Sequence, residues 1–234
     1  MPRLTSLAFK ESMSYAKDIN RRLSSYYPTG DIIWQDDMAI KRWSEVDWIN
    51  NGTVTLENAA GYYLFQNPAA ISVDTAAVAD SGELAMKRLP FPPNLRLGLE
   101  GKMRLGAVAN GKQIQIEIET DDGVGNDPFY IIWRKSDGKF MVDALGGWVD
   151  SGIAIAWKDG GIIHFKLVVD GTEHKYVKLC VNGHVADLKA YSPRAAGATV
   201  LPEVVYLNLC GLNDSTANTF AFQFGDIIVT MNEP

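Results

Sequence analysis

IIHFKLVVDGTEHKYVKLCVNG, residues 162–183, holds two apolar, β-branched runs separated by turn residues. In the first run Phe165, Leu167 and Val169 alternate with His164, Lys166 and Val168. A period of two gives a strand with one dry face and one opposite face. Asp170-Gly171 lies between the runs and Asn182-Gly183 follows the second. Such pairs accept the positive φ that a type I′ hairpin needs.

The same punctuation recurs outward from this hairpin, at Asn51-Gly52, Asn110-Gly111, Asp122-Gly123, Asp137-Gly138 and Asp159-Gly160. Between these pairs lie short runs at 53–56, 113–120, 129–135, 204–210 and 220–229. Many short strands with turn signals between them predict an all-β fold, two antiparallel sheets packed as a sandwich. Helix-length periodic segments are nearly absent, which argues against βαβ units. One exception is Phe9, Met13, Ala16 and Leu23, at roughly helical spacing. Residues 1–30 therefore read as a short amphipathic helix or an arm, and residues 31–234 as one sandwich domain. Pro193 and Pro202 mark the segment 190–202 as a surface loop.

With 234 residues, 47% apolar and 21% charged, the chain can bury a real core. A net charge of −6 and no basic run argue against nucleic acid and against anionic membranes. No stretch has the length of a membrane span, and the first residues lack the apolar run of a leader. The expected location is cytoplasmic, although a leader removed before residue 1 would leave no trace. Cys180 and Cys210 are the two cysteines, too few for a disulfide-built domain, and both read as buried thiols.

The period-two reading also sorts the polar groups. Ile114, Ile116 and Ile118 face one way, and Gln113, Gln115, Glu117 and Glu119 the other. Phe129, Ile131 and Trp133 oppose Tyr130, Ile132 and Arg134. Val205, Leu207 and Leu209 oppose Tyr206, Asn208 and Cys210. Gln, Glu, Arg, His, Asn and Tyr each make several directed hydrogen bonds, as sugar hydroxyls demand. The expectation is that Gln115, Glu117, Arg134, His164, Lys166 and Asn208 converge as a shallow groove on one sheet face. An ordinary wet face of an antiparallel sheet is the bland alternative. Trp43, Trp48 and Trp148 sit in polar or glycine-flanked surroundings and are the candidates for stacking on sugar rings.

At this point the chain resembles the concanavalin A-like lectin and glucanase superfamily. The likeness lies in the hairpin His164–Asp170 with Lys175–Gly183, in the closing run Phe220–Val229, and in the opening run Ile33–Met38. It covers residues 31–231 as a pattern. The resemblance implies a jelly-roll sandwich with a carbohydrate groove on its concave sheet. It also implies that catalytic carboxylates, where present, share one strand as Glu-x-Asp-x-Glu. Here Glu117-Ile118-Glu119-Thr120-Asp121 departs from that order, with Glu in the middle and Asp last.

Three function classes follow. The first is lectin-like carbohydrate binding. The second is a glycoside hydrolase or polysaccharide lyase using Glu117 and Glu119, with His164 or Arg134 assisting, since neighbours two apart on a strand approach the separation of roughly 5–5.5 Å that retaining hydrolysis uses. The third is a structural module whose wet face meets another subunit, so that a homo-oligomer is an open partner. No cofactor is expected. Asp121–Asp127 is rich in oxygen donors, but its spacing is not that of an EF-hand, so it reads as a turn with calcium as the alternative. His164, His174 and His184 show no spacing that gathers them into a metal site.

Overall fold

The computed structural model describes residues 29–36, 47–49, 53–58, 69–74, 82–90, 92, 95–105, 111–122, 125–194, 204–213 and 221–234. The helix-or-arm segment before residue 29 and Trp43 lie outside the described residues. The described strands are β1 (Asp31–Asp36), β2 (Asp47–Ile49), β3 (Thr53–Asn58), β4 (Ala69–Asp74), β5 (Gly82–Pro90), β6 (Arg96–Leu105), β7 (Gly111–Asp121) and β8 (Asn126–Arg134). They continue as β9 (Lys139–Ala144), β10 (Gly147–Ala154), β11 (Ile162–Asp170), β12 (Lys175–Val181), β13 (His184–Asp187), β14 (Val204–Asn213) and β15 (Ala221–Met231).

The strands form two antiparallel sheets. The first runs β13-β12-β11-β6-β15-β4-β3, with β1 also paired to β15. The second runs β10-β9-β8-β7-β14-β5-β2. The domain is all-β, and no helix occurs among the described residues. None of the described residues forms a helix long and apolar enough to cross a membrane.

The alternation predicted from sequence builds the core. Leu97, Leu99, Phe165, Leu167, Phe224 and Val229 come from the first sheet, and Ile114, Ile116, Ile118, Phe129, Trp133, Val205 and Leu207 from the second. All are buried, and each contributes roughly 1.5–3 kcal/mol relative to leaving it exposed. Tyr176 crosses the core from β12. Its hydroxyl donates to the carbonyls of Asp143 (2.9 Å) and Tyr130 (3.1 Å), tying the first sheet to the backbones of β8 and β9. Trp133 donates its indole N–H to the carbonyls of Gly138 and Ile155, 3.2 and 3.0 Å away.

Asn182 and Gly183 have φ of 47° and 86°, both positive as the type I′ expectation requires. Asp170-Gly171 does not form that turn. Asp170 Oδ1 instead accepts the backbone N–H groups of Thr172 (3.1 Å) and Glu173 (3.0 Å), and His174 takes the left-handed conformation at φ 51°. The aspartate's own side chain organises a longer loop, an outcome open to any Asp at a turn.

Cys180 and Cys210 are free thiols on opposite sheets; Cys180 is buried as expected, whereas Cys210 is only half-buried, on the side of β14 away from the core residue Leu209. Burial raises the Cys180 thiol, which leaves it unreactive.

At Gly211 on β14 the two sheets approach closely. A Cβ there would lie 2.0 Å from Cε1 of Phe222, so the phenyl ring occupies the space of the missing side chain. Gly211→Ala overpacks this contact. A loss of about 1–3 kcal/mol is expected in chemical denaturation. Wild-type stability in the variant would mean that Phe222 moves freely.

Candidate functional site

The outer face of the second sheet is built from the residues that alternate with the core. On β7 these are Gln115, Glu117 and Glu119. Register places Glu117 between Tyr130 on β8 and Asn208 on β14, and Glu119 between Pro128 and Tyr206. Ile131 pairs with Val142, so the same register brings Tyr130 to Asp143 on β9, and Asp143 pairs with Trp148 on β10. One row thus crosses five strands: Trp148, Asp143, Tyr130, Glu117 and Asn208.

Its centre is dry and its rim wet. Glu117 is 2% exposed and Trp148 42%. Glu117 Oε2 accepts a hydrogen bond of 2.7 Å from the Asn208 amide. Among the described residues neither Glu117 Oε1 nor Asn208 Oδ1 has a hydrogen-bond partner. Burial pushes the Glu117 carboxyl up to about 7. The Asn208 amide and, more weakly, the Tyr130 hydroxyl oppose that rise, while the charge of Glu119 adds to it. Tyr130 itself is raised, by burial and then by Glu117.

Around this centre the polar groups are positioned in pairs. Asn126 donates from Nδ2 to Glu119 Oε1 at 2.6 Å. Arg194 reaches Asp143 Oδ1 at 2.8 Å. Arg88 lies over the Tyr206 ring, 5.8 Å from its centroid.

Four of the six residues expected to converge share this face: Gln115, Glu117, Asn208 and Arg134. Arg134 stands at the far end of β8, opposite Gln113, and is held by Asp137 through Nε at 3.1 Å. His164 and Lys166 do not join them. Both sit on β11 opposite its core side chains, so they lie on the outer face of the first sheet. A sandwich has two outward faces, and alternation along a strand cannot tell them apart.

Lys166 is moreover buried, and pairs there with Glu233 at 2.7 Å and Glu100 at 3.7 Å. Neither Lys166 nor Arg134 therefore neutralises Glu117. His164 is half-buried, and its pKa is lowered by burial and then by Lys102. Trp48 lies on β2, where only the backbone is described. Tyr130 and Tyr206 were visible in the sequence as the polar sides of their strands. Asp143 and Arg194 were missed, although an Asp within the run Phe140–Ala144 was an available signal.

In the loop weighed for calcium, Asp122 Oδ1 accepts the N–H of Gly125 at 2.8 Å, and Asp127 Oδ2 meets Nδ1 of His174 at 2.5 Å. Among the described residues no three His, Cys, Asp or Glu side chains are grouped to hold a metal.

No protein-family model matches the sequence, and no curated protein matches it in sequence. Solved structures do match in shape. Lectin UEA-II of Ulex europaeus, solved with galactose, superposes with a TM-score of 0.54 at 9% identity, over 87% of this chain and 100% of that one. A carbohydrate esterase of the Shiga toxin-encoding bacteriophage phi24B gives 0.53 at 14% identity, over 80% and 90%. An alginate lyase gives 0.53 at 8% identity, over 89% and 94%. Two antiparallel sheets, their strand alternation and these superpositions show that the chain has the jelly-roll sandwich fold of these structures.

Proposed function

We propose that the protein binds a carbohydrate on the outer face of its second sheet. The observation that carries this is Glu117. A carboxyl on an outward sheet face would ordinarily be solvated, yet this one is buried with an amide as its bonded partner and is pushed up to about 7. Keeping such a group costs stability, and perturbed acids of this kind concentrate at functional sites. The groups around it suit sugars: paired acceptors and donors in Glu119–Asn126 and Asp143–Arg194, with rings at Trp148 and Tyr206 for the apolar faces of the pyranose. The solved structures of similar shape include a lectin bound to galactose and enzymes that act on carbohydrates. Their identity to this chain is low, so the residues carry the proposal.

One observation favours a second reading, hydrolysis. Glu117 and Glu119 stand two apart on one face, and Glu117 is held near neutrality, as a general acid requires. Glycan-array binding followed by reducing-sugar release tests both readings. Binding is expected, with Trp148→Ala weakening it by roughly tenfold or more, since covering an exposed ring contributes about 1.5–3 kcal/mol, and with Glu117→Gln weakening it through the Asn208 amide that Glu117 holds. Sugar release that both Glu117→Gln and Glu119→Gln abolish selects the hydrolase. A chain that binds nothing across a broad array refutes the proposal.

A further inference from the structure

A cleft opens at the end of the sandwich where the β7–β8 turn of the second sheet meets the β11–β12 turn of the first. Its volume is about 160 Å³, and its walls include Leu95, Asp122, Asn126, Asp127, Gly171 and His174. We infer that this cleft binds one neutral sugar residue, the terminal unit of a glycan lying across the second sheet. The inference rests on the carbohydrate reading above.

Size sets the first limit. The cleft is below the roughly 300–1,000 Å³ of sites for drug-sized ligands, so it suits one small ring and not an oligosaccharide. Continuity sets the second. Asn126 lines the cleft, and its amide is bonded to Glu119, which stands beside Glu117 on the sheet face. Asn126 thus links the wall of the cleft to that face.

The polar groups are already oriented. Asp122 is fixed by the Gly125 N–H. The imidazole of His174 is fixed through Nδ1 by Asp127, 47 positions away at the start of β8, and Nε2 is the ring's second polar atom. Fixing donors and acceptors in advance lowers the entropy lost on binding. Leu95 adds an apolar surface for the C–H face of a ring. Gly171 closes the floor, because a Cβ there would come within 3.1 Å of both Leu95 Cβ and Thr120 Oγ1.

Charge selects the ligand. Among the described residues two carboxylates line the cleft, and the imidazole, the one basic side chain there, is paired with one of them. Sugar hydroxyls donate well to carboxylates. A uronate carboxylate placed here would face Asp122 and Asp127 and be repelled. The terminal residue is accordingly a neutral sugar.

Titration calorimetry with neutral oligosaccharides of glucose, mannose and galactose, and with oligouronates of equal length, tests this. Gly125→Leu is the informative variant, because Gly125 lines the cleft and a Cβ there meets no atom within 4 Å, so leucine adds bulk at the cleft wall at little cost to the fold. His174→Asn is the second, since Asn tolerates the left-handed backbone but lacks the imidazole. At least one neutral oligosaccharide is expected to bind about tenfold or more tighter than any oligouronate, with each variant weakening it about tenfold at unchanged melting temperature. Equal affinity for oligouronates overturns the inference. Binding that responds to Trp148→Ala but not to Gly125→Leu also overturns it, and leaves the carbohydrate reading standing. Absence of any glycan binding by the wild type removes both.

Discussion

Raising the pH from 5 to 8.5 is expected to lower the stability of the wild-type protein, and Glu117→Gln to remove much of that fall. Glu117 is raised by burial from 4.5 to about 7. A group whose folded pKa lies above its unfolded value binds more protons when folded. Its contribution is complete below pH 4.5 and is lost as the pH climbs through 7. A difference of about 2.5 units at 1.36 kcal/mol each is about 3 kcal/mol. For a domain of this size that is on the order of 5–10 °C in melting temperature. Glu100 acts in the same direction, also raised to about 7 by burial against the pull of Lys166. Opposite shifts belong to Asp137, which Arg134 holds down near 2 and which matters only in acid, and to His164, which burial lowers and which offsets part of the fall as the pH rises toward 6.5. A melting series in buffers from pH 4.5 to 9 reads this directly. A flat wild-type profile between 5 and 8.5 would show that Glu117 is far better solvated than its surroundings indicate.

The largest single loss is expected for Lys166→Met. The ammonium is buried. Besides the Glu233 and Glu100 carboxylates it meets the carbonyl and hydroxyl of Thr29, 3.0 and 3.1 Å away. Glu233 is held further by the hydroxyls of Thr29 (2.6 Å) and Thr230. Gly98 and Gly30 give these groups room, since a Cβ at either would collide with Glu233 Oε1 at 2.7 and 2.5 Å. Removing the cation leaves two buried carboxyls with no ammonium, and breaking such a cluster costs about 3–5 kcal/mol. The loss should be largest above pH 8 and smaller near pH 5, where protons neutralise the carboxyls instead. Adding Glu233→Gln should recover part of it, because the two substitutions act on one cluster. Equal melting temperatures for Lys166→Met and wild type at pH 8.5 would mean that water already reaches this cluster.

Particular residues show what the sequence disclosed. Ile114, Ile116 and Ile118 alternate with Gln115, Glu117 and Glu119 because burial on one side of β7 is strong enough to imprint the pattern. Asn182-Gly183 disclosed its turn because positive φ at both positions is a local requirement. His164 and Lys166 misled because alternation reports only that a side chain turns from its own strand's core. Assigning it to one outward face or the other needs the strand order, and β11 joins β6 while β7 joins β14. The Asp143–Arg194 pair, 51 positions apart, depends on the path of a connecting segment that no local pattern encodes.

The position of β15 has a consequence for how the chain acquires its structure. Although last among the described strands, it lies inside the first sheet, hydrogen-bonded to β6 on one side and to β4 and β1 on the other. The pieces β3-β4 and β6-β11-β12-β13 cannot join until it arrives. A chain emerging from the ribosome must therefore wait, with core side chains such as Leu97, Leu99 and Phe165 uncovered, until residue 221 and those after it are free. Pairings as distant as Asp31 with Met231 give the fold a high contact order, and slow folding with a long exposure to aggregation follows from it.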